Sequence, residues 1–321
     1  MHWSFLVSAR NAANQILFIN MGFMRKIVAV LFSAMVIVGI ALVVYTSYGI
    51  PASTNIREGT VEIVASFYPL AEFARAVGGD YVNVTTTVPV GIEPHEFEPS
   101  PRDVIRAEEA QLFIYNGVGV DPWAERIAPS VAKNGVSVLK STAEISNNDP
   151  HVWLDPILAR QQVVEIRDAL INIDSAHAEE YEENAAGYIR VLNALDADYK
   201  TLKLCELNTI VTSHDAFGYI AARYEFEILP ISGFSPDAEP SPRDIAELIN
   251  LIKAESIPYI FFESLVSPRL AETIARETGA GLLELSPVEG VTEKEQELGE
   301  NYLTLMSRNL QNLKTALRCR N

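Results

Sequence analysis

At 321 residues with 48% hydrophobic side chains, the chain is long enough for two domains of ordinary size, each with a real core. Its 42 acidic residues against 25 basic ones leave a formal net charge of -17, which argues against a nucleic-acid partner, because gripping phosphates needs a basic face. The same acidity favours solubility and sets up a field that draws in cations.

The N-terminal part reads as separate from the fold. Residues 1–23 look like an upstream extension, with Met21 or Met24 as alternative starts. Ile27 to Val44 then runs for 18 residues without a charged group, preceded by Arg25 and Lys26. As a helix this run is about 27 Å long, close to the thickness of a hydrocarbon core. No basic residue follows it until Arg57, which places the N-terminus inside and the bulk of the chain outside. A secretory signal is the competing reading, but its apolar region is shorter, about 7–15 residues. Segment 24–47 is therefore expected to be a membrane anchor in preference to a cleaved signal, and 48–59 a small, polar linker.

From residue 60 onward, strand-like and helical patterns alternate. Val61 to Ala65, Val82 to Val88, Gln111 to Tyr115 and Val136 to Leu139 read as strands, with a helix over Tyr68 to Val77. Thr209 to Thr212, Phe226 to Ile231, Tyr259 to Phe262 and Gly281 to Leu285 repeat the pattern, with a helix over Ala216 to Tyr224. Near-continuous apolar strands alternating with helices signal parallel α/β sheets covered on both faces.

One hexapeptide occurs twice, as Glu98-Pro-Ser-Pro-Arg-Asp103 and Glu239-Pro-Ser-Pro-Arg-Asp244. Ser followed by Pro, with an acid two residues later, is helix-start chemistry, so Ser100 and Ser241 are expected caps. The recurrence in matching surroundings predicts two homologous lobes. Between them, Ser175 to Leu204 reads as one long helix of about 45 Å, capped by Asp174 or Ser175. Such a stiff connector argues against a large hinge opening. The expected organisation is an N-terminal α/β lobe over 60–173, a linking helix over 174–206 and a C-terminal α/β lobe over 207–321.

Three of the five histidines, His95, His151 and His214, sit in loops next to strand-like runs. In open α/β sheets ligands bind beyond the carboxyl ends of the strands, so facing lobes would bring these loops to one cleft. Neutral imidazoles there suit Zn2+, held at about 2.0–2.1 Å and usually by four ligands. Candidates for a fourth ligand are Glu263, Glu284, Ser286 and Glu289. Glu284 lies within a strand pattern, Glu263 ends a buried strand and could pair with an arginine, and Glu289 sits in the loop beyond the last strand. His177 falls on the first turn of the long helix and reads as structural, and His2 precedes the anchor. A rival reading is a zinc hydrolase with a catalytic water and Glu263 as general base. No Gly-x-Ser-x-Gly nucleophile motif supports it.

Cys205 and Cys319 both lie beyond the anchor, in an oxidising compartment. A disulfide would tie the last helix back to the start of the second lobe, but spacing alone does not prove it and leaves two free thiols open.

Three motifs resemble the metal-binding solute receptors of ABC importers, the cluster A-I zinc and manganese family. Pro94-His95-Glu-Phe97-Glu-Pro99-Ser100 matches its first ligand motif, and Pro150-His151-Val-Trp153-Leu-Asp155-Pro156 its second. Ser213-His214-Asp-Ala216-Phe217-Gly-Tyr219 matches the third, and the resemblance covers roughly Val61 to the C-terminus. It implies an externally displayed, membrane-tethered monomer that passes Zn2+ to an ABC permease and its ATPase, with no covalent chemistry. Many members place an aspartate fourth ligand where this chain has Ser286. The zinc branch instead uses a glutamate that maps onto Glu289, giving the set His95, His151, His214 and Glu289. Histidine at the third position goes with zinc in this family, and manganese is the alternative cargo. The histidine-rich loop of some zinc members is missing between Ser141 and Asn148. The family resemblance also implies a disulfide between Cys205 and Cys319, and it leaves an adhesion role open.

Overall fold

The computed structural model describes residues 59–142, 148–236 and 238–320. The anchor expected at 27–44, with the extension before it and nearly all of the linker after it, lies outside these residues. Among the described residues, no helix is long and apolar enough to cross a membrane.

Two four-stranded parallel sheets share one topology. Strands β1 (Val61–Ala65), β2 (Val82–Thr86), β3 (Leu112–Tyr115) and β4 (Ser137–Lys140) lie in the order β2-β1-β3-β4. Strands β5 (Thr209–Thr212), β6 (Glu227–Pro230), β7 (Tyr259–Phe262) and β8 (Gly281–Glu284) repeat it as β6-β5-β7-β8. Ile63 pairs with Val84 on one side and Leu112 on the other, while Ile260 pairs with Val211 and Leu282. All residues of β3 are buried, which is why its sequence is unbroken by polar residues.

Parallel neighbours need crossovers, and helices supply most of them. In the first lobe these are α1 (Tyr68–Gly78), α2 (Pro101–Glu109) and α3 (Pro122–Lys133). After α4 (Pro156–Ile173) and α5 (Ala178–Tyr199), the second lobe adds α6 (Gly218–Tyr224), α7 (Pro242–Glu255) and α8 (Arg269–Thr278). A short α9 (Glu293–Glu297) and a longer α10 (Tyr302–Ala316) follow. The repeated hexapeptide starts α2 and α7, each after the second strand of its lobe. Ser100 and Ser241 accept from the amides of Asp103 and Asp244, whose carboxylates accept from the serine amides at 2.9 and 3.2 Å. Both copies are complete capping boxes with Pro in the first turn.

The long helix differs in its ends. Only Ala178–Tyr199 is α-helical, with 3-10 turns at Ser175–His177 and Lys200–Leu204. Asp174 does not cap it through its side chain, because that carboxylate is taken at 2.7 Å by both His177 Nδ1 and the Tyr181 hydroxyl. The His177 ring stacks on Tyr81 with centroids 4.1 Å apart. Helix α4, which the strand-and-helix pattern does not announce, packs along α5.

One hydrophobic core runs through both lobes. It includes Phe67 and Trp153 from the first, and Phe217, Tyr224 and Tyr302 from the second. Satellite cores around Trp123 and Ile260 cover the outer faces of the two sheets. Polar bonds tie the segment after His151 to the second lobe. Trp153 Nε1 donates to Pro287 O at 2.7 Å, Tyr302 Oη to Trp153 O at 2.5 Å, and Arg223 Nε to Asp155 at 2.5 Å. Cys205 and Cys319 form a disulfide that closes the C-terminus onto the start of the second lobe.

Candidate metal centre

Each candidate ligand is fixed by its own local device. His95 lies in the loop after β2, entered through Gly91 at φ 79, a conformation glycine adopts without penalty. The Glu93 carboxylate accepts from the His95 amide at 3.0 Å, and Gly91 N donates across the cleft to Val291 O at 2.9 Å. His151 follows Pro150, whose carbonyl accepts from Asn116 Nδ2 at 2.9 Å. Asn116 is in turn set by Asp121, which accepts its amide at 2.8 Å and the Ser66 hydroxyl at 2.5 Å.

His214 comes two residues after β5, and its carbonyl accepts from the Thr212 hydroxyl at 2.8 Å. Glu289 rides a loop beyond β8 in which Val288 is held at φ 55, a costly place for a β-branched residue. That backbone is pinned by Ser286 Oγ, which accepts Val288 N at 3.1 Å, and by Trp153 on Pro287 O.

The loops converge. The Nε2 atoms of His95, His151 and His214 lie 3.4, 3.3 and 3.5 Å from Glu289 Oε1, and those of His151 and His214 are 3.3 Å apart. The four ligand atoms all lie within 4.8 Å of one another. A tetrahedral ion with bonds of about 2.0–2.1 Å separates its ligand atoms by about 3.3 Å. Four of the six separations are near that value and the other two stay within 4.8 Å, an arrangement suited to a small tetrahedral cation such as zinc. The side chains are nearly closed to solvent, at 4% exposure for His95, 0% for His151 and His214, and 1% for Glu289.

Two carboxylates orient two of the rings. His151 Nδ1 donates to Asp149 at 2.8 Å, and His214 Nδ1 to Glu263 at 2.6 Å. With the proton on Nδ1, each Nε2 turns its lone pair to the common centre. Burial alone would push the His214 imidazole down, but Glu263 and Glu289 outweigh it and hold it well above its ordinary range. Burial also opposes the charge on His95, and Glu289 followed by Glu93 reverses that effect, leaving His95 raised. Glu289 would rise by burial, yet the surrounding imidazoles hold it well below the usual carboxylate range. Burial and the Glu289 charge push Glu93 up to about 7.

The remaining candidates lie elsewhere. Glu284 pairs with Arg308 at 3.1 Å, and the Ser286 backbone is clasped by the Asn309 amide at 2.9 and 2.6 Å. Glu263 does not pair with an arginine. It lies beside the centre because β7 neighbours β5, so the residue just past one strand end faces the residue just past the other. Asp149 is a site residue that sequence reasoning missed, although its place two residues before His151 is the available signal. Asn116 and Asp121 carry no comparable mark.

Comparison with known proteins finds zinc-uptake components among the relatives. Residues 63–316 match the model of the family described as ZnuA, zinc-uptake complex component A periplasmic. The chain is 37% identical over 279 residues to the zinc-binding lipoprotein AdcA of Streptococcus pneumoniae serotype 4, covering 80% of this chain and 56% of AdcA. It thus spans little more than half the length of that relative. Over 287 residues it is 33% identical to the high-affinity zinc uptake system protein ZnuA of Bacillus subtilis, covering 83% and 90% of the two chains. The crystal structure of the Zn(II)-bound ZnuA-like domain of Streptococcus pneumoniae AdcA superposes with a TM-score of 0.73 at 38% identity. That superposition covers 81% of this chain and 99% of the domain.

Proposed function

We propose, from the premise that the chain belongs to the ZnuA family of zinc-uptake components, that it is an extracytoplasmic zinc receptor of an ABC importer. His95, His151, His214 and Glu289 bind one Zn2+ in the cleft between the lobes, and the receptor delivers it to a membrane permease driven by its ATPase. The observation that carries this reading is the set of ligand-atom spacings, 3.3 to 3.5 Å around Glu289 Oε1. Three imidazole nitrogens and one carboxylate favour zinc over manganese, which prefers oxygen-rich shells and binds more weakly to nitrogen. The named zinc-binding relatives support the same cargo.

Delivery, not hydrolysis, is the chemistry this site supports. Four protein ligands complete a zinc shell and leave no open position for a catalytic water. Glu263, the candidate general base, is engaged by His214 Nδ1 at 2.6 Å. Attachment to the outer face of the cytoplasmic membrane through residues 27–44 completes the proposal, and the lipoprotein name of AdcA supports a tethered receptor. The test is metal analysis of the purified full chain, with about one zinc expected per chain. His214→Ala should remove it while circular dichroism stays unchanged. A wild-type chain that binds no zinc in competition with a weak chelator would overturn the reading.

A further inference from the structure

Glu289 is carried by a loop with no helix or strand of its own, so other parts of the chain must fix its carboxylate. The loop leaves β8 at Glu284 and turns at Val288, whose φ of 55 a β-branched residue adopts only under constraint. Much of that constraint comes from α10. Asn312 Nδ2 donates to Glu284 O at 2.8 Å, and Arg308 pairs with the Glu284 carboxylate at 3.1 Å. Beside them, Asn309 commits both ends of its amide to one residue. Its Oδ1 accepts Ser286 N at 2.9 Å and its Nδ2 donates to Ser286 O at 2.6 Å.

That pair of bonds holds the peptides on both sides of Ser286 at once. Asn309 is 2% exposed and Ser286 3%, so bulk solvent does not compete for them. The hold continues along the loop. Trp153 Nε1 donates to Pro287 O at 2.7 Å, and Ser286 Oγ accepts Val288 N at 3.1 Å. Tyr302, also on α10, secures Trp153 through its carbonyl at 2.5 Å. Each of the three residues before Glu289 is therefore bonded in place, and α10 is the common support. A ligand atom must be held to within about 0.5 Å for its partners to act together.

We propose that Asn309 is a positioning residue for the metal centre, which sets where the Glu289 carboxylate meets the ion by bracketing the loop at Ser286. The proposal rests on the zinc-receptor reading above and on Glu289 as a ligand. Asn309 itself touches neither the ion nor an imidazole.

The test is a double-mutant cycle on the full chain with Asn309→Ala and Glu289→Gln. Zinc affinity is read by competition with a chelator, and coordination by the visible spectrum of the Co2+-substituted chain. Asn309→Ala should weaken zinc binding by about tenfold and alter the cobalt spectrum. In the Glu289→Gln background the same change should cost less than about twofold, because the group it positions has gone. A residue that only supports packing lowers the unfolding midpoint, leaves the cobalt spectrum as in wild type and costs the same in both backgrounds. Should Asn309→Ala fail to fold, Asn309→Asp takes its place in the cycle, since it keeps the shape and the acceptor for Ser286 N but loses the donor to Ser286 O. Equal losses in both backgrounds, or wild-type affinity and spectrum, would overturn the positioning role and leave the receptor standing. Wild-type affinity in Glu289→Gln would remove that ligand and the role of Asn309 with it. A wild-type chain that binds no zinc would remove the receptor as well.

Discussion

Glu263 Oε1 lies 2.6 Å from His214 Nδ1, both side chains are almost fully buried, and 49 residues separate them in sequence. The carboxylate orients a proposed metal ligand that it could not reach in an unfolded chain. It also stabilises the positive charge that develops on the ring, whether from a proton or from a bound cation. In the proposed site, a residue at the end of a buried strand thereby supports binding without being a ligand.

Glu263→Gln should keep the fold and the one-to-one stoichiometry but weaken zinc binding by about 10–100-fold, the usual effect of losing a carboxylate behind a histidine ligand. Competition titration against a chelator of known affinity checks this. An unchanged affinity would mean that packing alone sets the ring.

Glu289→Gln removes the only anionic member of the proposed ligand set and leaves three imidazoles. Zinc affinity should fall by more than in Glu263→Gln. A Co2+-substituted sample should show an altered visible spectrum, because one anionic oxygen has left the tetrahedron. A spectrum and affinity identical to wild type would remove Glu289 from the ligand set.

Zinc binding should release protons and strengthen as pH rises. His95 and His214 are raised by their carboxylate neighbours, so the metal-free cluster holds protons that the ion must expel. The sign for the metal-free fold is opposite. A raised imidazole contributes stability that is complete below its unfolded value and lost as pH rises through its folded one. Glu289, held low, contributes stability that is present above its unfolded value and lost as pH falls through its folded one. The metal-free chain should therefore melt highest at mildly acidic pH, while the melting increment from added zinc grows toward alkaline pH. Scanning calorimetry with and without zinc across that range tests both slopes.

The Cys205–Cys319 disulfide closes a loop with a sequence separation of 114. Replacing both cysteines by serine should destabilise the chain by about 2–5 kcal/mol, chiefly by freeing the unfolded state. Zinc affinity should stay the same, since neither cysteine borders the centre. Urea unfolding of the metal-free variant and wild type measures the difference, and equal midpoints would refute it.

Much of the fold was legible because local rules and global packing agree. Val61–Ala65, Thr209–Thr212 and Tyr259–Phe262 are strands where apolar runs place them. The twin Ser-Pro-Arg-Asp starts are caps because their chemistry is complete within four residues. Less legible were the ends of the long helix. There Asp174 serves His177 and Tyr181 instead of the helix amides, a choice set by neighbours and not by helix-start preference. Helix α4 was also obscure, because its buried face meets α1 and α5 and carries only a weak stripe.

The sequence by itself determined the strand order's raw material, the duplicated lobe and the three histidine loops, since each depends on residues within reach of one another along the chain. The family resemblance pointed to Glu289 as the fourth ligand, but only the tertiary structure set it beside the three imidazoles and showed which carboxylates stand behind the rings. Glu263, Glu284 and Glu289 are chemically alike. Their different positions follow from the pairing of β7 with β5 and β8, the bend at Val288, and an arginine on α10 that engages Glu284. Distances across a folded cleft have no counterpart in a linear pattern, and metal coordination is set by those distances.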